Sequence, residues 1–274
     1  MNPSGAIYIS SNDRNPNYDY NNVTYQLPNI QYLTSVALIS FDFIYGINNI
    51  NINNNIAYFQ TSTQSFQVTL VTGDYDYVTL AAQVLVQLNA LGLGAFTLTY
   101  ANGLYTLTAP QPISFLTNPP NPLNPPGIAG KRDWVDMLGF LKNTPLQSVF
   151  ISGVPNIAYT DVIYILCDEL HRRQTVRDTS SNGKVSSILG VVYVNKNEHM
   201  DAADVNNNIV QPKHITDRIK VPKYTYMDLT YRINTVSIRL VDQQGNDLPP
   251  TTAGNGSCQY TLEIICANQD IFGA

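Results

Sequence analysis

The sequence predicts an all-β protein, and three observations support this class. Residues that alternate between apolar and polar, the pattern of a half-buried strand, recur along most of the chain. The first such segment, residues 7–10, begins almost at residue 1, and a nearly continuous apolar run follows at residues 35–45. That run is typical of a strand buried on both faces or bent between two sheets. Asn-rich stretches such as residues 48–55 separate the strands, because Asn tolerates the left-handed conformation of turns.

Each alternating segment predicts one strand. The predicted strands cover residues 7–10, 23–27, 34–45, 57–61, 66–71, 96–100, 104–108, 161–167, 187–194, 231–241 and 259–266. Asn102 and Gly103 join two of them, and Asn-Gly between alternating segments is a strong signal for a hairpin. The polar regions 171–184 and 195–216 show weak patterning. We expect these regions to be exposed loops or mobile arms, and the second could reach neighbouring subunits.

One convincing helix interrupts the strands. Its apolar side chains recur at helical spacing over residues 77–91, Asp76 can cap its start, and Gly92 follows its end. With the hairpin that follows, it forms a predicted α-β-β unit. The Pro-rich segment 118–127 reads as a surface strap, and residues 133–140 read as a short helical turn in which Trp134 fills the core. We therefore expect one domain over residues 1–274, with the α-β-β unit and the strap at about 74–140 as an insertion.

The composition predicts a surface that interacts with other proteins. Only 13% of the 274 residues are charged, and 18 Tyr residues and many neutral polar residues supply the polarity instead. Low charge weakens the repulsion that keeps proteins apart, and Tyr is enriched where surfaces become buried against partners. The net charge is −5, and the densest basic cluster, residues 171–177, is too small for a nucleic-acid binding face. No apolar stretch is long enough to span a membrane, and no secretory signal opens the chain.

Three cysteines, Cys167, Cys258 and Cys266, give an odd and sparse count that suits assembly in a reducing compartment. Cys258 and Cys266 lie on one extended segment, so the chain would have to fold back before those two could pair.

No group of residues predicts a catalytic, cofactor or metal site. The three histidines, His171, His199 and His214, are scattered through loops without metal-ligand spacing. A calcium loop starting at Asp204 would have Ile209 in place of the required Gly and Ile215 in place of the closing Glu.

Two further patterns also do not predict a functional site. Residues 127–132 are one position too short for a phosphate loop and lack Ser or Thr after Lys131. Asp74 and Asp76 lie in a turn, where helix capping explains them better than acid–base chemistry. We therefore expect no enzyme, no cofactor and no metal.

Short motifs in a fixed order resemble a known family. Residues 8–14 (Tyr-Ile-Ser-Ser-Asn-Asp-Arg) lead into a short amphipathic strand at 24–27 and then the long apolar strand. Gly73-Asp74-Tyr75 precedes the helix, Leu138-Gly139-Phe140 closes the unit, and residues 236–242 with Gly245 precede the final strand. This order resembles the small capsid proteins, chiefly those of penton type, of polinton-like viruses, virophages and nucleocytoplasmic large DNA viruses, which have double-stranded DNA genomes.

The resemblance implies a single jelly-roll β-sandwich of two antiparallel sheets and a structural role in the virion. Penton members form homopentamers at the vertices of an icosahedral capsid, so the implied partners are copies of this chain and the major capsid protein. Two alternatives stay open. One is a minor or cement protein between or beneath the capsomers of the major capsid protein. The other is a β-sandwich that binds a glycan or receptor, because Tyr and Asn suit sugar recognition.

Overall fold

The computed structural model describes residues 3–15, 19–32, 35–117, 132–167, 169, 188–194, 213–220, 225–226, 232–251 and 255–267. Three predicted features fall largely or wholly beyond these ranges. The Pro-rich strap at 118–127 and the loop at 171–184 lie outside the described residues, as do positions 195–212 of the loop predicted at 195–216.

The described residues form fourteen strands and two helices. In chain order they are β1 (Pro3–Ser10), β2 (Asn22–Tyr32), β3 (Ser35–Ile47), β4 (Ile56–Gln60), β5 (Ser65–Thr69), α1 (Tyr77–Asn89), β6 (Thr97–Ala101), β7 (Leu104–Leu116), α2 (Trp134–Leu138), β8 (Gln147–Ile151), β9 (Val162–Cys167), β10 (Ile188–Tyr193), β11 (Lys213–Arg218), β12 (Thr225–Tyr226), β13 (Arg232–Val241) and β14 (Gly256–Ala267). A 3-10 turn, Ser11–Asp13, follows β1.

Eight of these strands form a jelly roll. One sheet has the order β1-β14-β3-β11, and the other has the order β10-β9-β13-β2. The pairing is nested and antiparallel: β1 pairs with β14, β2 with β13, β3 with β11, and β9 with β10. Two four-stranded antiparallel sheets wound in this way define the jelly roll. The short strand β12 extends the first sheet by pairing with the start of β3.

The inner faces of the two sheets share one hydrophobic core. Ile163 and Ile165 of β9 are fully buried in it, and Phe43 of β3 stacks on Tyr260 of β14 with ring centroids 5.6 Å apart. The buried residues follow the period-2 alternation of their strands, as expected for side chains that point into a sandwich.

The segment between β3 and β9 forms a second unit with its own hydrophobic core, which includes residues from Ile50 to Ile157. Its strands pair in the order β5-β4-β7-β6, with β8 also on β7. The unit contains the predicted α-β-β unit and additionally β4, β5, β8 and α2. Leu98, Leu107 and Phe150 lie side by side on β6, β7 and β8 and are buried in the same core as α1 and α2. We call residues 48–160 the inserted unit.

Capping residues define the ends of the two helices of the inserted unit. Asp76 caps α1 by accepting from the backbone N–H groups of Val78 and Thr79 at 2.9 and 2.7 Å. Asp133 caps α2, and α2 stops at Gly139, whose φ of 82° is the left-handed conformation that favours glycine. Trp134 is buried, and its Nε1 donates to the carbonyl of Val68, so it fills the core as predicted.

The Asn-rich segment 48–55 joins the inserted unit to the jelly roll. Asn51 and Asn54 are buried, and their side chains hydrogen-bond within the segment. The side chain of Asn53 donates to the Tyr159 hydroxyl and to the carbonyl of Asp247, both at 2.9 Å. These bonds give the side chains of Asn51, Asn53 and Asn54 partners at the joint, as burial requires.

Three strands of the structure differ from the sequence-based expectations. β8 and β12 lie outside every predicted strand, and residues 213–216, assigned to a loop, form most of β11. β11 pairs with β3 through Lys213 to Arg218. Only Ile215 among these six residues is apolar, so the pairing with β3, and not any local alternation, makes this segment a strand.

Candidate assembly surfaces

The outer face of the sheet β1-β14-β3-β11 is polar and charged. The hydroxyls of Tyr8 and Ser40 each donate to the carboxylate of Glu263, both at 2.8 Å. These bonds, with a smaller contribution from Arg218, hold the pKa of Glu263 below its ordinary value. The carboxylate is therefore well satisfied and remains ionised at neutral pH.

A shallow depression lies in the same face, lined by Tyr8, Asp42, Arg218 and Glu263 among others. His214 on β11 pairs with Asp42 on β3 through its Nε2, at 2.5 Å, and both side chains are about half exposed. Within the described ranges, no three His, Cys, Asp or Glu side chains come together as a metal site. His171 and His199, together with Asp204 and Ile209 of the tested calcium loop, lie outside those ranges, and Ile215 lies in β11.

The outer face of the other sheet carries an apolar patch on β9 and β10. Three cross-strand pairs form it: Val162 with Tyr193, Tyr164 with Val191, and Leu166 with Ile188. Tyr193 is 72% exposed. The inner faces of the same two strands are also apolar and lie in the core. Strands that are apolar on both faces normally lie between two covering layers, so this patch is suited to burial against another surface.

The inserted unit contains very few charged residues. Between Asp42 and Lys131 the sequence has only two, Asp74 and Asp76. Asp76 caps α1, and the carboxylate of Asp74 accepts from the backbone N–H of Asn49 at 2.9 Å. Burial raises the pKa of Asp74 to about 6. Both carboxylates are therefore engaged in hydrogen bonds within the unit.

The other charged side chains that the structure describes in the inserted unit also bind within it. Lys142 contacts the carboxylates of Asp133 and Asp136, both at 2.7 Å. Arg132 donates to the carbonyls of Asn156 and Ala158, and burial lowers its pKa. The outer surface of the unit is consequently almost uncharged, and surfaces of this kind favour association.

Two uncharged faces stand out on the inserted unit. On α1, Val78, Ala82 and Val86 lie one helical turn apart on the solvent side, and the two valines are 68% and 61% exposed. On the sheet, the solvent-facing side chains of β6, β7 and β8 include four threonines and two apolar residues that lie in two cross-strand rows. In register they are Thr97, Thr108 and Val149 in one row, and Thr99, Thr106 and Ile151 in the next. We call the first the helix face and the second the sheet face.

The composition predicted an uncharged, interaction-prone surface without locating it. The gap between Asp42 and Lys131 is visible in the sequence and could have pointed to this region. Which side chains face solvent depends on the strand register and on the position of α1, and sequence patterns do not fix either.

Among the helices that the structure describes, none combines the length and the hydropathy needed to cross a bilayer.

Comparisons with known proteins give similarity at the level of structure. No protein-family model matches the chain, and no curated protein matches it. Among solved structures, the chain is similar to the mavirus penton protein, with 12% sequence identity, 96% of this chain and 100% of that chain covered, and a TM-score of 0.46. It is also similar to a chain of the Sputnik virophage structure determined by cryo-EM, with 12% identity, 95% and 97% coverage, and a TM-score of 0.36.

Proposed function

We propose that this protein is a structural capsid protein of penton type, of which five copies close each vertex of an icosahedral particle. The observation that carries the proposal is the nested strand order of the jelly roll, β1-β14-β3-β11 against β10-β9-β13-β2. Jelly rolls also serve other functions. The motif order in the sequence and the uncharged outer faces favour a protein that is buried among neighbouring subunits.

Closure into a five-membered ring requires two different surfaces on each subunit, because the contact is head to tail. The chain offers several uncharged surfaces in different places: the patch on β9 and β10, the helix face and the sheet face. Its proposed partners are further copies of itself and the major capsid protein, and its proposed location is the virion. This role needs no catalytic residue, cofactor or metal.

The proposal treats residues 1–274 as one capsid domain that carries an insertion. The second hydrophobic core supports this arrangement, because it lies between β3 and β9 and leaves the pairing of the eight jelly-roll strands uninterrupted. The α-β-β unit and the strap proposed at about 74–140 belong to that insertion.

Size-exclusion chromatography with light scattering tests self-assembly. We expect a species of five times the 30.4 kDa chain mass, in a proportion that rises with protein concentration. A protein that stays monomeric at every concentration would contradict the proposal. Cryo-EM of the assembled particle then tests the position. Density for this chain at the five-fold vertices is expected, whereas density only elsewhere would instead assign it to a minor capsid position.

A further inference from the structure

We propose that the joint between the inserted unit and the jelly roll is a pH-sensitive contact, which opens locally to water when Asp74 is ionised and closes when Asp74 is protonated. The joint consists of the segment 48–55 and of residues 73–75, which hydrogen-bond to it. It belongs to the single chain, so its opening does not depend on self-assembly.

The two units that meet at the joint have separate hydrophobic cores. The jelly-roll core includes Ile47, and the core of the inserted unit begins at Ile50. No buried residue that the structure describes belongs to both cores. Hydrogen bonds of the segment 48–55 therefore make up much of the connection, and such contacts can open without exposing either core.

The attachment of the backbone changes from one unit to the other between two successive residues. The N–H of Asn48 donates to the carbonyl of Asn255 in the jelly roll at 3.1 Å. The N–H of Asn49 donates to the carboxylate of Asp74 in the inserted unit at 2.9 Å. Asp74 therefore holds the chain at the point where it passes from one unit to the other.

Four further hydrogen bonds connect the same two segments. The side chain of Asn49 accepts from the N–H of Tyr75 at 3.0 Å and donates to its carbonyl at 2.7 Å. Ile50 and Gly73 exchange two backbone bonds of 3.1 and 2.8 Å. Because all four bonds join residues 49–50 to residues 73–75, we expect them to break and form together with the bond to Asp74.

Asp74 is buried without a compensating positive charge. Burial raises its pKa from 3.8 to about 6, and the hydrogen bond from Asn49 offsets only part of this effect. Among the described residues, no Lys, Arg or His side chain forms an ion pair with it. An ionised carboxylate in such a place costs free energy. Opening the joint removes this cost, because water then reaches the carboxylate.

The other titratable groups around Asp74 keep their charge state between pH 5 and pH 7. Tyr45 faces it from β3 of the jelly roll, and burial, with contributions from neighbouring tyrosines, Cys258 and Asp74 itself, raises the pKa of Tyr45 well above its ordinary value. On the same loop, burial raises the pKa of Tyr75. Against the opposing effect of burial, hydrogen bonds from the start of α1 lower the pKa of Asp76. Asp74 is therefore the group that responds in this range.

The difference between the closed and the open joint sets the size of the effect. The pKa of Asp74 is about 6 in the closed joint and returns towards 3.8 when water reaches it. The opening constant should therefore rise roughly tenfold between pH 5 and pH 7.

Hydrogen exchange followed by mass spectrometry measures this opening on the full chain. After correction for the pH dependence of intrinsic exchange, peptides that cover residues 49–50 and 73–75 should exchange about tenfold faster at pH 7 than at pH 5. Urea below the unfolding transition distinguishes local opening from unfolding. Local opening exposes little surface, so urea should leave the exchange of these peptides unchanged while it accelerates that of β3 and β7.

Three variants assign the effect to the joint. Asp74→Asn replaces the titrating group with a neutral side chain of similar shape, so exchange at the joint should be slow and equal at both pH values. The matched control is Asp217→Asn on β11, which removes an exposed carboxylate and should keep the tenfold difference. Asn49→Ala removes the side-chain bonds to Tyr75 but keeps Asp74, so exchange should be faster at both pH values with the same ratio. Circular dichroism and the fluorescence of Trp134 report whether each variant is folded.

Four results would overturn the proposed opening. They are joint exchange that is equal at pH 5 and pH 7, a pH difference that persists in Asp74→Asn, unchanged exchange in Asn49→Ala, and acceleration by urea in step with β3 and β7. The last result would show that the joint opens only when the whole fold unfolds. A wild-type chain that stays monomeric would contradict the proposed function and leave these measurements unaffected.

Discussion

The backbone N–H of Asn49 donates to the carboxylate of Asp74 at 2.9 Å and so ties the loop after β3 to the loop before α1. The side chain of Asn49 strengthens the same connection, because it accepts from the N–H of Tyr75 and donates to its carbonyl. Asp74 is thereby held in a position where burial, and not a charged neighbour, raises its pKa.

The first prediction concerns Asp74→Asn. Burial raises the pKa of Asp74 from 3.8 to about 6, so the folded protein binds this proton more tightly than the unfolded chain does. The ionised carboxylate therefore destabilises the fold above about pH 6, and its contribution becomes more favourable as the pH falls towards 4. Asp74→Asn should raise the free energy of unfolding by roughly 1–3 kcal/mol at neutral pH and have little effect near pH 4.

Urea unfolding of wild type and variant over this pH range, followed by Trp134 fluorescence, measures the difference. Asp217→Asn removes one exposed carboxylate and controls for the change in net charge. An effect of Asp74→Asn that is the same at every pH would contradict the assignment of the pH dependence to this group.

The second prediction concerns the start of α1. Asp76→Ala removes the acceptor for the N–H groups of Val78 and Thr79, which should lower the free energy of unfolding by about 1 kcal/mol. Asp76→Ser keeps a capping oxygen and should stay close to wild type. Chemical denaturation of the three proteins measures the cost, and equal losses in both variants would show that the cap is not the cause.

The third prediction concerns the ion cluster at α2. Lys142→Met leaves the carboxylates of Asp133 and Asp136 without the ammonium that lies 2.7 Å from each. Only 9% of the Lys142 side chain is exposed, so we expect a loss of about 3–5 kcal/mol. Adding Asp136→Asn to this variant removes one unpaired charge and should recover part of the loss. A double-mutant cycle measures the coupling, and strict additivity would contradict it.

The fourth prediction concerns the backbone at the joint. Gly256 has a φ of 75°, and a Cβ added there would meet the carbonyl of Gly46 and lie 2.9 Å from the N–H of Asn48. Gly256→Ala therefore combines the left-handed conformation, worth about 1–2 kcal/mol, with a collision against backbone that cannot rotate away. The matched control is Gly245→Ala, where φ is 84° and no atom lies within 4 Å. Thermal unfolding should show a much larger loss for Gly256→Ala, and equal losses would refute the collision.

Local chemistry explains which parts of the fold could be predicted. The helix α1 lies within the predicted segment 77–91. It could be predicted because the Asp76 cap, the apolar spacing and Gly92 all lie within one short stretch of sequence. The hairpin between β6 and β7 was predicted from Asn102 and Gly103, both of which adopt positive φ. β11 was not predicted, because its residues alternate weakly and its partner β3 lies far away in the sequence.

The candidate surfaces were predicted only in composition. A low charged fraction indicates association, but the same fraction could have been spread evenly over the chain. The structure shows that the charged side chains it describes in the inserted unit form helix caps, an ion cluster and hydrogen bonds to the backbone. Val78 and Ile151 are exposed because of the register and packing around them, and neither residue has a local pattern that indicates exposure.

The nested strand order also determines when the jelly roll can form during synthesis. β1 pairs with β14, and the bond between Tyr8 and Glu263 spans 255 residues. The central part of that sheet therefore stays incomplete until the ribosome has made β14. The inserted unit draws its core from Ile50 to Ile157, so its contacts are more local and become available earlier. We expect a nascent chain to contain a folded inserted unit before its jelly-roll strands have paired.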